Sequence, residues 1–386
     1  MHVVGVRGAS WRARVDDLGT VHPGDGSAPL AWHVAGEERW FSPASEATVR
    51  RTWLAGCPVS ETRMRVGAGD VVQRVWAVAD DGGITLVEFE NEGPTAVAVA
   101  VTRGDVMTSR PVSPGEPRGI DLPSGSVVLP LAHRSTVRVG LRHAGPGGGL
   151  LPEGLADHRA VVRGWEGACA VASRVVVPDP AVAAAFVSAR CGVLLGDAAS
   201  DPVEAVRLGE THRDSVIDLV DHVQRRLRGE KRARTLCWDT PHLLATAAHA
   251  ATLLGDDTAV GDIGAAWLRL ADRPVAAAPD APPLDGSIVA WVESRFLAPS
   301  PSGGSCTVLP DGVPEGWKGS SFEAHGLVAD PVRTFSYAVR WHGHRPAVLW
   351  EVGGAPGLVI TAGGDNADWH TTEQSGETLL ATVHDH

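Results

Sequence analysis

The stretch RTFSYAVRWHGHRPAVLWEV, residues 333–352, carries the clearest fold signal in this chain. Phe335, Tyr337 and Val339 alternate with polar or small residues, and a second alternating run follows the sequence His-Gly-His-Arg. Alternation with period two sends successive side chains to opposite faces of a strand, and a glycine at the bend is typical of a tight turn. The stretch therefore predicts a β-hairpin.

The N-terminal part of the chain repeats this pattern in short runs separated by glycine and proline. The run ITLVEFENEGPTAVAVAVTR, residues 84–103, gives two alternating strands around a Glu-Gly-Pro turn. Many short alternating strands with regular turn signals are typical of an antiparallel sandwich. We therefore expect β-structure up to residue 175 or so, and assign residues 1–177 to an antiparallel β-sandwich.

The period of the apolar residues then changes to that of helices. Asp179 and Asp239 stand at the starts of two such runs, where aspartate is a favoured helix cap. The pattern predicts four helices, at 179–197, 202–229, 239–257 and 258–272. Short connections between them favour two antiparallel hairpins, and we assign residues 178–272 to an α-helical hairpin domain.

The run RPVAAAPDAPPLDG is rich in proline and alanine and predicts a linker, assigned to residues 273–287. The β pattern returns after it, first in SIVAWVESRFLA, residues 287–298, and then through the opening hairpin. We therefore expect residues 288–386 to form a C-terminal β-sandwich segment. The predicted fold class is α+β, with helices between two sheet-rich regions.

The charge balance limits the classes of partner. The 386 residues include 46 acidic residues against 34 lysines and arginines, and the net charge is −12. Nucleic acids and anionic membrane surfaces bind clustered cations, so neither is an expected partner. No run of 18 apolar residues predicts a membrane span, and the N-terminus shows no apolar signal segment.

The cysteines indicate the compartment. The five cysteines are odd in number, far apart in the chain and show no Cys-x-x-Cys spacing. That pattern favours buried, reduced thiols over a disulfide framework, and reduced thiols are typical of the cytoplasm. We therefore expect a cytoplasmic protein.

Acidic residues form one candidate catalytic set. Glu210, Asp214, Asp218 and Asp221 share one stripe of the helix predicted at 202–229. Paired carboxylates are the groups that hydrolyse glycosides, but acidic residues opposite an apolar stripe are also typical of a solvated helix face. We keep Glu210 and Asp214 as candidate catalytic carboxylates.

Two further acidic positions have structural alternatives. Asp239 is a third candidate catalytic residue, although its place at a helix start also suits a cap. Alternation places Glu88, Glu90 and Glu92 on one face of a strand. We expect that face to be exposed and the three glutamates to be solvated.

The histidines of the hairpin turn raise the question of a metal site. His342 and His344 flank Gly343, and His370 or Asp368 would be a third ligand for zinc or copper. The same residues fit a polar turn, and we favour the turn. No metal and no cofactor are expected.

Tryptophan is the most over-represented residue type. The chain has 13 tryptophans and one tyrosine, and tryptophan faces stack on sugars as well as filling cores. We expect most of them in the sandwich cores and a minority at a ligand. The candidate ligand-binding residues are Trp238, Trp341, Trp350, Glu351, Asp368 and Trp369.

Several enzyme classes lack their signatures in this sequence. It contains no Gly-x-Gly-x-x-Gly after a strand, no phosphate-binding Gly-x-x-x-x-Gly-Lys-[Ser/Thr], no His-Glu-x-x-His and no Gly-x-Ser-x-Gly. The sequence therefore does not favour nucleotide binding, a zinc protease or a serine hydrolase.

The order of elements resembles that of a known enzyme family. The runs that carry the resemblance are VVQRVWAVADDGGITLVEFENEGPTAVAVAV (71–101), TPHLLATAAHAATLLGDD (240–257) and GWKGSSFEAHGLVADPVRTFSYAVRWHGHRPAVLWEV (316–352). They are similar to the bacterial glucoamylase-like and phosphorylase-like glycoside hydrolases. The resemblance implies an N-terminal β-supersandwich, an (α/α)6 toroid of helical hairpins and a C-terminal β-sandwich.

This chain departs from that family in its helical part. Residues 179–272 have room for about two hairpins, so a ring of six does not close. Two functions follow from the resemblance. The chain hydrolyses an α-linked glycoside by two carboxylates, or it is a non-catalytic relative that binds a glycan or a protein through the incomplete toroid surface. Exposed hairpin faces also favour a homodimer.

Overall fold

The computed structural model describes residues 2–112, 117–196 and 201–381. The chain forms two compact units, Met1–Glu166 and Gly167–His386. The described residues contain seven α-helices and five sheets, which are mainly antiparallel. This confirms the predicted α+β class, with sheet-rich N-terminal and C-terminal regions. The finer boundaries predicted at residues 177, 272 and 287 stay predictions.

The first unit is built on three sheets, of three, four and six strands. Its strands are β1 (His2–Gly5), β2 (Arg12–Val15), β3 (Val21–Pro23), β4 (Trp32–Ala35), β5 (Trp40–Phe41), β6 (Arg50–Trp53), β7 (Ser60–Val66), β8 (Gly69–Val78), β9 (Ile84–Asn91), β10 (Val97–Val101), β11 (Met107–Thr108), β12 (Val127–Leu131) and β13 (Thr136–Arg142). The largest sheet has the order β11-β13-β9-β8-β7-β6, with antiparallel neighbours throughout.

One face of each sheet supplies the core of this unit. Trp32 of β4 and Phe89 of β9 are buried, and their rings lie 5.6 Å apart. Val4 and Val15 of the three-stranded sheet join the same cluster. The sheets therefore pack face to face around apolar side chains, as alternating strands require.

The second unit contains two sheets. Its strands are β14 (Arg174–Val176), β15 (Leu297–Pro299), β16 (Ser305–Val308), β17 (Phe322–Asp330), β18 (Arg333–His342), β19 (Arg345–Gly353), β20 (Val359–Ala362), β21 (His370–Thr371) and β22 (Ser375–Leu379). The sheet orders are β14-β17-β18-β19-β22 and β15-β16-β20-β21. The pairing of β16 with β20 is parallel.

The predicted hairpin is confirmed. Strands β18 and β19 pair in antiparallel register with Tyr337 opposite Trp350. Gly343 stands at the turn with φ +63°, a left-handed conformation that favours glycine. Phe335, Tyr337 and Val339 are buried as the alternation predicts.

Seven helices complete the described chain, together with five short 3₁₀ turns. The helices are α1 (His158–Cys169), α2 (Pro180–Leu194), α3 (Pro202–Arg207), α4 (Ser215–Glu230), α5 (Thr240–Leu253), α6 (Asp257–Leu268) and α7 (Ile288–Phe296). The 3₁₀ turns are Pro43–Ser45, Leu54–Gly56, Asp80–Gly82, Glu315–Trp317 and Gly364–Asn366. In the parts of the chain described, no helix is both long enough and apolar enough to cross a membrane.

Three sequence predictions of local structure are wrong. The predicted β-region up to residue 175 contains helix α1. The single helix predicted at 202–229 is two helices, because Gly209 follows α3 with φ +80° and breaks the helical path. The predicted strand at 287–298 is mostly α7, whose Ile288, Val292 and Phe296 recur every four residues and are buried on one helix face.

Candidate functional site

Four charged side chains form a buried network in the helical part of the second unit. Arg190 donates from Nε to Oε1 of Glu204 at 2.6 Å and from Nη2 to Oε1 of Glu293 at 2.8 Å. Arg207 donates from Nη1 to Oε2 of Glu204 at 2.6 Å and from Nη2 to Oε1 of Glu293 at 2.8 Å. Each glutamate therefore accepts hydrogen bonds from both arginines, and the four charges sum to zero.

Helix starts position these residues. Asp179 accepts hydrogen bonds from Ala181 N and Val182 N and begins α2, which carries Arg190. Asp201 accepts in the same way at α3, which carries Glu204 and Arg207 three residues apart on one face. A proline follows each cap, where its fixed φ suits the first helical turn. The sequence thus fixes the start of each helix locally.

Arg190 is saturated with hydrogen bonds. Its side chain is fully buried, at 0% exposed. Nη1 donates to the carbonyl oxygens of Cys169 and Ser173, and Nη2 donates to Ser173 Oγ at 2.8 Å. Ser173 Oγ in turn donates to Glu293 Oε1 at 2.6 Å. A buried charge is tolerated only when it is paired and hydrogen-bonded in this way.

Two buried nitrogens of the cluster remain without a hydrogen bond among the described residues. His242, on α5, places Nε2 3.2 Å from Oε2 of Glu293, whereas its Nδ1 has no partner. Nε of Arg207 is also buried without a partner. Most buried polar atoms in proteins are hydrogen-bonded, so these two nitrogens are exceptions in an otherwise well-paired network.

The network keeps its charges. Burial alone would lower the pKa of Arg207, but Glu204 and Glu293 outweigh it and the pKa is raised. Burial alone would raise the pKa of Glu293, but Arg207, the hydrogen bond with His242 and Arg190 hold it well below its usual range. Glu293 therefore stays a carboxylate and does not supply the proton that a general acid donates.

A cavity of about 570 Å³ lies against this network. Its walls come from α2, α3, α4, α5 and the segment 283–290. The polar and charged residues that line it are Ser188, Asp201, Glu204, Arg207, His222, Arg226, Asp239, His242, Thr246, Asp285 and Ser287. Its volume is that of a pocket for a small molecule.

Acidic and basic side chains face each other along the cavity wall. Arg226 Nη2 donates to Oδ1 of Asp239, and His222 Nε2 lies 4.0 Å from Oδ1 of Asp201. Burial alone would lower the pKa of Arg226, but Asp239 outweighs it and the pKa is raised. The wall thus presents hydrogen-bond acceptors beside donors.

The structure separates the three predicted catalytic carboxylates. Asp239 lines the cavity. Asp214 is exposed and precedes α4, and Glu210 lies half-buried in the turn after α3; both are outside the cavity lining. Of the three, only Asp239 shares a cavity with other carboxylates.

Five of the six predicted ligand-binding residues lie between residues 341 and 369, in the C-terminal sheet region, and Trp238 directly precedes Asp239. Trp350 is buried, and its ring contacts that of Trp369 edge-on at 5.4 Å. Trp341 Nε1 donates to Ser320 O at 2.8 Å, and Trp238 packs against the core cluster of the C-terminal sheets. Glu351 and Asp368 are exposed, and none of these six lines the cavity.

The turn histidines behave as polar surface residues. His342 and His344 are both exposed at the end of the β18–β19 hairpin. Among residues 2–112, 117–196 and 201–381, no group of three or more His, Cys, Asp or Glu is placed to hold a metal ion. Gly343 and His344 lie in the turn itself, as the turn interpretation predicts.

The prediction of a solvated glutamate face is wrong for Glu88. Glu88 is 3% exposed and stands directly opposite Arg74 on one neighbouring strand and Arg138 on the other. Arg74 also stands opposite Glu61, so four strands carry a row of alternating charges. Arg138 Nε donates to Glu88 at 2.7 Å and Arg74 Nε to Glu61 at 2.7 Å. We call this row the charge ladder.

The other two glutamates of that strand differ from Glu88. Glu90 is half-buried and accepts from Arg74 Nη1 at 2.6 Å, whereas Glu92 is exposed and accepts from Arg63. The sequence does not show which residues on neighbouring strands stand opposite one another. Strand alternation alone therefore did not reveal the arginines that pair with these glutamates.

Sequence analysis also missed the network residues. Arg190 stands within the apolar run AAAFVSARCGVLL, and Glu293 within IVAWVESRF. A charged residue inside a largely apolar helix is the signal that points to them, because burial of such a charge requires a partner. No family model and no curated protein matches the chain.

Proposed function

We propose that this chain binds a carbohydrate in the cavity against the Arg190–Glu293 network and does not cleave it. The observation that carries the proposal is that hydrogen-bond acceptors and donors lie side by side on the wall of a cavity of about 570 Å³. A sugar hydroxyl both donates and accepts hydrogen bonds. Asp201 and Asp239 would accept a hydrogen bond from such a hydroxyl, and Arg226 and His222 would donate one to its oxygen.

The buried network supports this proposal by holding the wall in place. Glu204, Arg207 and His242 belong to both the network and the cavity lining. Side chains locked by several hydrogen bonds lose little entropy when a ligand binds. The cavity is therefore prepared for a polar ligand before the ligand arrives.

Binding without hydrolysis follows from the state of the carboxylates. Glycoside hydrolysis needs one protonated carboxyl group and one carboxylate across the scissile bond. Glu293 is held ionised by two arginines, and Asp239 is paired with Arg226. The pairing of both carboxylates with arginines leads us to favour the non-catalytic alternative from the resemblance over hydrolysis.

The resemblance to glucoamylase-like and phosphorylase-like glycoside hydrolases supports the same ligand class. In this proposal the helical hairpins are a shortened toroid and the first unit is supersandwich-like. We also place the protein in the cytoplasm, since its five cysteines are present as thiols.

Titration calorimetry with a panel of mono- and oligosaccharides tests the proposal. We expect one or more sugars to bind, and Asp239→Asn to weaken binding about tenfold, because a hydrogen-bonded charge contributes of that order. The matched control is Asp214→Asn, which removes an aspartate outside the cavity lining and leaves affinity unchanged.

Two results would overturn the proposal of sugar binding in this cavity. One is a panel in which no sugar binds or raises the melting temperature. The other is equal affinity of Asp239→Asn and the wild type for a sugar that does bind. Release of new reducing ends by the wild type would instead support the hydrolase alternative.

A further inference from the structure

A groove of about 730 Å³ opens between α4 and α6, away from the cavity described above. Both helices pack against α5. The apolar side chains of the groove are Val220, Val223, Leu227, Ala259, Ile263, Ala265, Ala266 and Leu270. Val223 and Ile263 are buried at its floor, whereas Leu227 and Leu270 are half-buried. The groove therefore offers apolar surface to an occupant.

The rim of the groove is basic. Four of its lining residues are cations, namely Arg228, Lys231, Arg269 and Arg273, and the one acidic lining residue is Asp262. This concentration stands out in a chain whose net charge is −12. Charged rims select partners of opposite charge, so the groove suits an acidic surface with an apolar centre.

The first half of α4 is such a surface. Ile217, on α4, is a large apolar side chain that is 59% exposed. Asp214, Asp218 and Asp221 surround it and are exposed. The stretch therefore combines the charge and the apolar contact that the groove requires.

The two surfaces lie on the same helix in a fixed order. Asp214 immediately precedes α4 and Asp218 and Asp221 lie in its N-terminal half, whereas Arg228 and Lys231 stand at its C-terminal end. An antiparallel pair of such helices places the acidic half of each against the basic half of the other. A twofold axis produces this arrangement twice with identical contacts.

We propose that two copies of this chain associate through α4 about a twofold axis. Each copy places Ile217 and its three aspartates on the basic rim of the other copy's groove. The contact is isologous, so both grooves are occupied at once. This surface is separate from the sugar cavity, and the proposal does not depend on sugar binding.

Analytical ultracentrifugation of charge-reversal variants tests the pairing. We expect the wild type to sediment as a dimer at low salt and to dissociate as salt rises, because screening weakens exposed charge pairs. The double variant Asp218→Arg/Asp221→Arg and the double variant Arg228→Glu/Lys231→Glu are each expected to sediment as monomers. All four side chains are exposed, and circular dichroism verifies that both variants are folded.

Mixing the two double variants gives the sharpest result. Each mutant surface then meets the opposite charge on the other variant, so the mixture is expected to form a heterodimer of wild-type mass. The matched control is Glu373→Arg, a charge reversal at an exposed position outside α4 and α6, which stays dimeric.

Three results would overturn the proposal. They are a wild-type monomer up to about 100 μM, a dimer that both charge reversals leave intact, and a mixture of the two variants that stays monomeric. A monomeric chain that binds a synthetic acidic helical peptide in the groove would assign the groove to another protein.

Discussion

Arg190 and Glu293 lie 103 residues apart in the chain, yet Nη2 of Arg190 donates to Oε1 of Glu293 at 2.8 Å with both side chains buried. The first residue comes from α2 and the second from α7. Their contact connects distant parts of the second unit through a charge pair that water does not screen. The stability of this unit and the shape of its cavity therefore depend on the same contact.

Replacing Glu293 tests that dependence. Glu293→Gln leaves Arg190 and Arg207 buried with one carboxylate between them, and we expect a loss of about 3–5 kcal/mol in the free energy of unfolding. Urea unfolding followed by tryptophan fluorescence measures it. The control is Glu323→Gln, whose partners Arg174 and Arg340 lie at the surface and whose loss is expected to be about 0–1 kcal/mol. Equal losses in the two variants would contradict the prediction.

The charge ladder of the first unit gives a second prediction. Arg74→Met removes the cation between Glu61 and Glu88, which then repel each other in a poorly solvated place. We expect a loss of about 3 kcal/mol, measured by urea unfolding. Arg65→Met, at a side chain that is 55% exposed beside Asp70, is expected to cost about 0–1 kcal/mol. A loss at Arg74 no larger than that at Arg65 would show that the ladder does not stabilise the sheet.

His249 gives the second unit a dependence on pH. Burial lowers its pKa, the hydrogen bond with the Pro331 carbonyl acts in the opposite direction, and the charge of Arg207 lowers it further. Asp330 and Glu293 act weakly to raise it. The pKa of His249 in the folded protein lies below its unfolded value of about 6.5. The contribution of neutral His249 to the free energy of unfolding is therefore fully present above about pH 6.5 and is lost as pH decreases toward the folded pKa.

The measurement compares urea midpoints at about pH 7.5 and pH 5. We expect the wild-type midpoint to fall between these conditions, and His249→Gln to reduce the fall because glutamine does not titrate. His342→Gln, at an exposed turn residue, is the control and keeps the wild-type profile. If His249→Gln left the change of the urea midpoint with pH unaltered, His249 would be ruled out as the origin of this pH dependence.

The thiols differ in accessibility. Cys306 is buried, and burial with a smaller effect of Asp330 raises its pKa to about 12. Cys237 is the half-buried cysteine, and the other four are buried. Burial and Asp239 raise the pKa of Cys237 as well, so the difference rests on access: we expect one thiol of the native protein to react with a disulfide reagent and all five to react in denaturant. We expect Cys237→Ser to abolish the reaction of the folded protein with the reagent and Cys306→Ser to leave it unchanged. The reverse outcome would refute the assignment of the reactive thiol to Cys237.

Local sequence pattern predicted the elements whose side chains alternate against one core. Residues 333–352 were predicted as a hairpin because Phe335, Tyr337 and Val339 share one buried face. The same reasoning failed for α7, where adjacent apolar residues such as Ile288 and Val289 hid the four-residue recurrence. Short apolar runs fit a buried strand and a buried helix equally well.

The candidate site was less predictable than the fold. Asp239 was singled out from its position, and it lines the cavity. Arg190, Glu204 and Glu293 were not, because their significance lies in contacts between helices that are far apart in the chain. No spacing within one helix records such contacts, so the sequence marks these charges but the tertiary structure is needed to show their partners.

The parallel pairing of β16 with β20 has a consequence for how the protein is made. Cys306 pairs with Ile360, and the strands β17, β18 and β19 lie between them in the chain. On the ribosome, β16 therefore emerges well before the strand that covers its second edge. A nascent chain paused in this interval presents an unpaired strand edge, the kind of surface that chaperones cover and that aggregation uses.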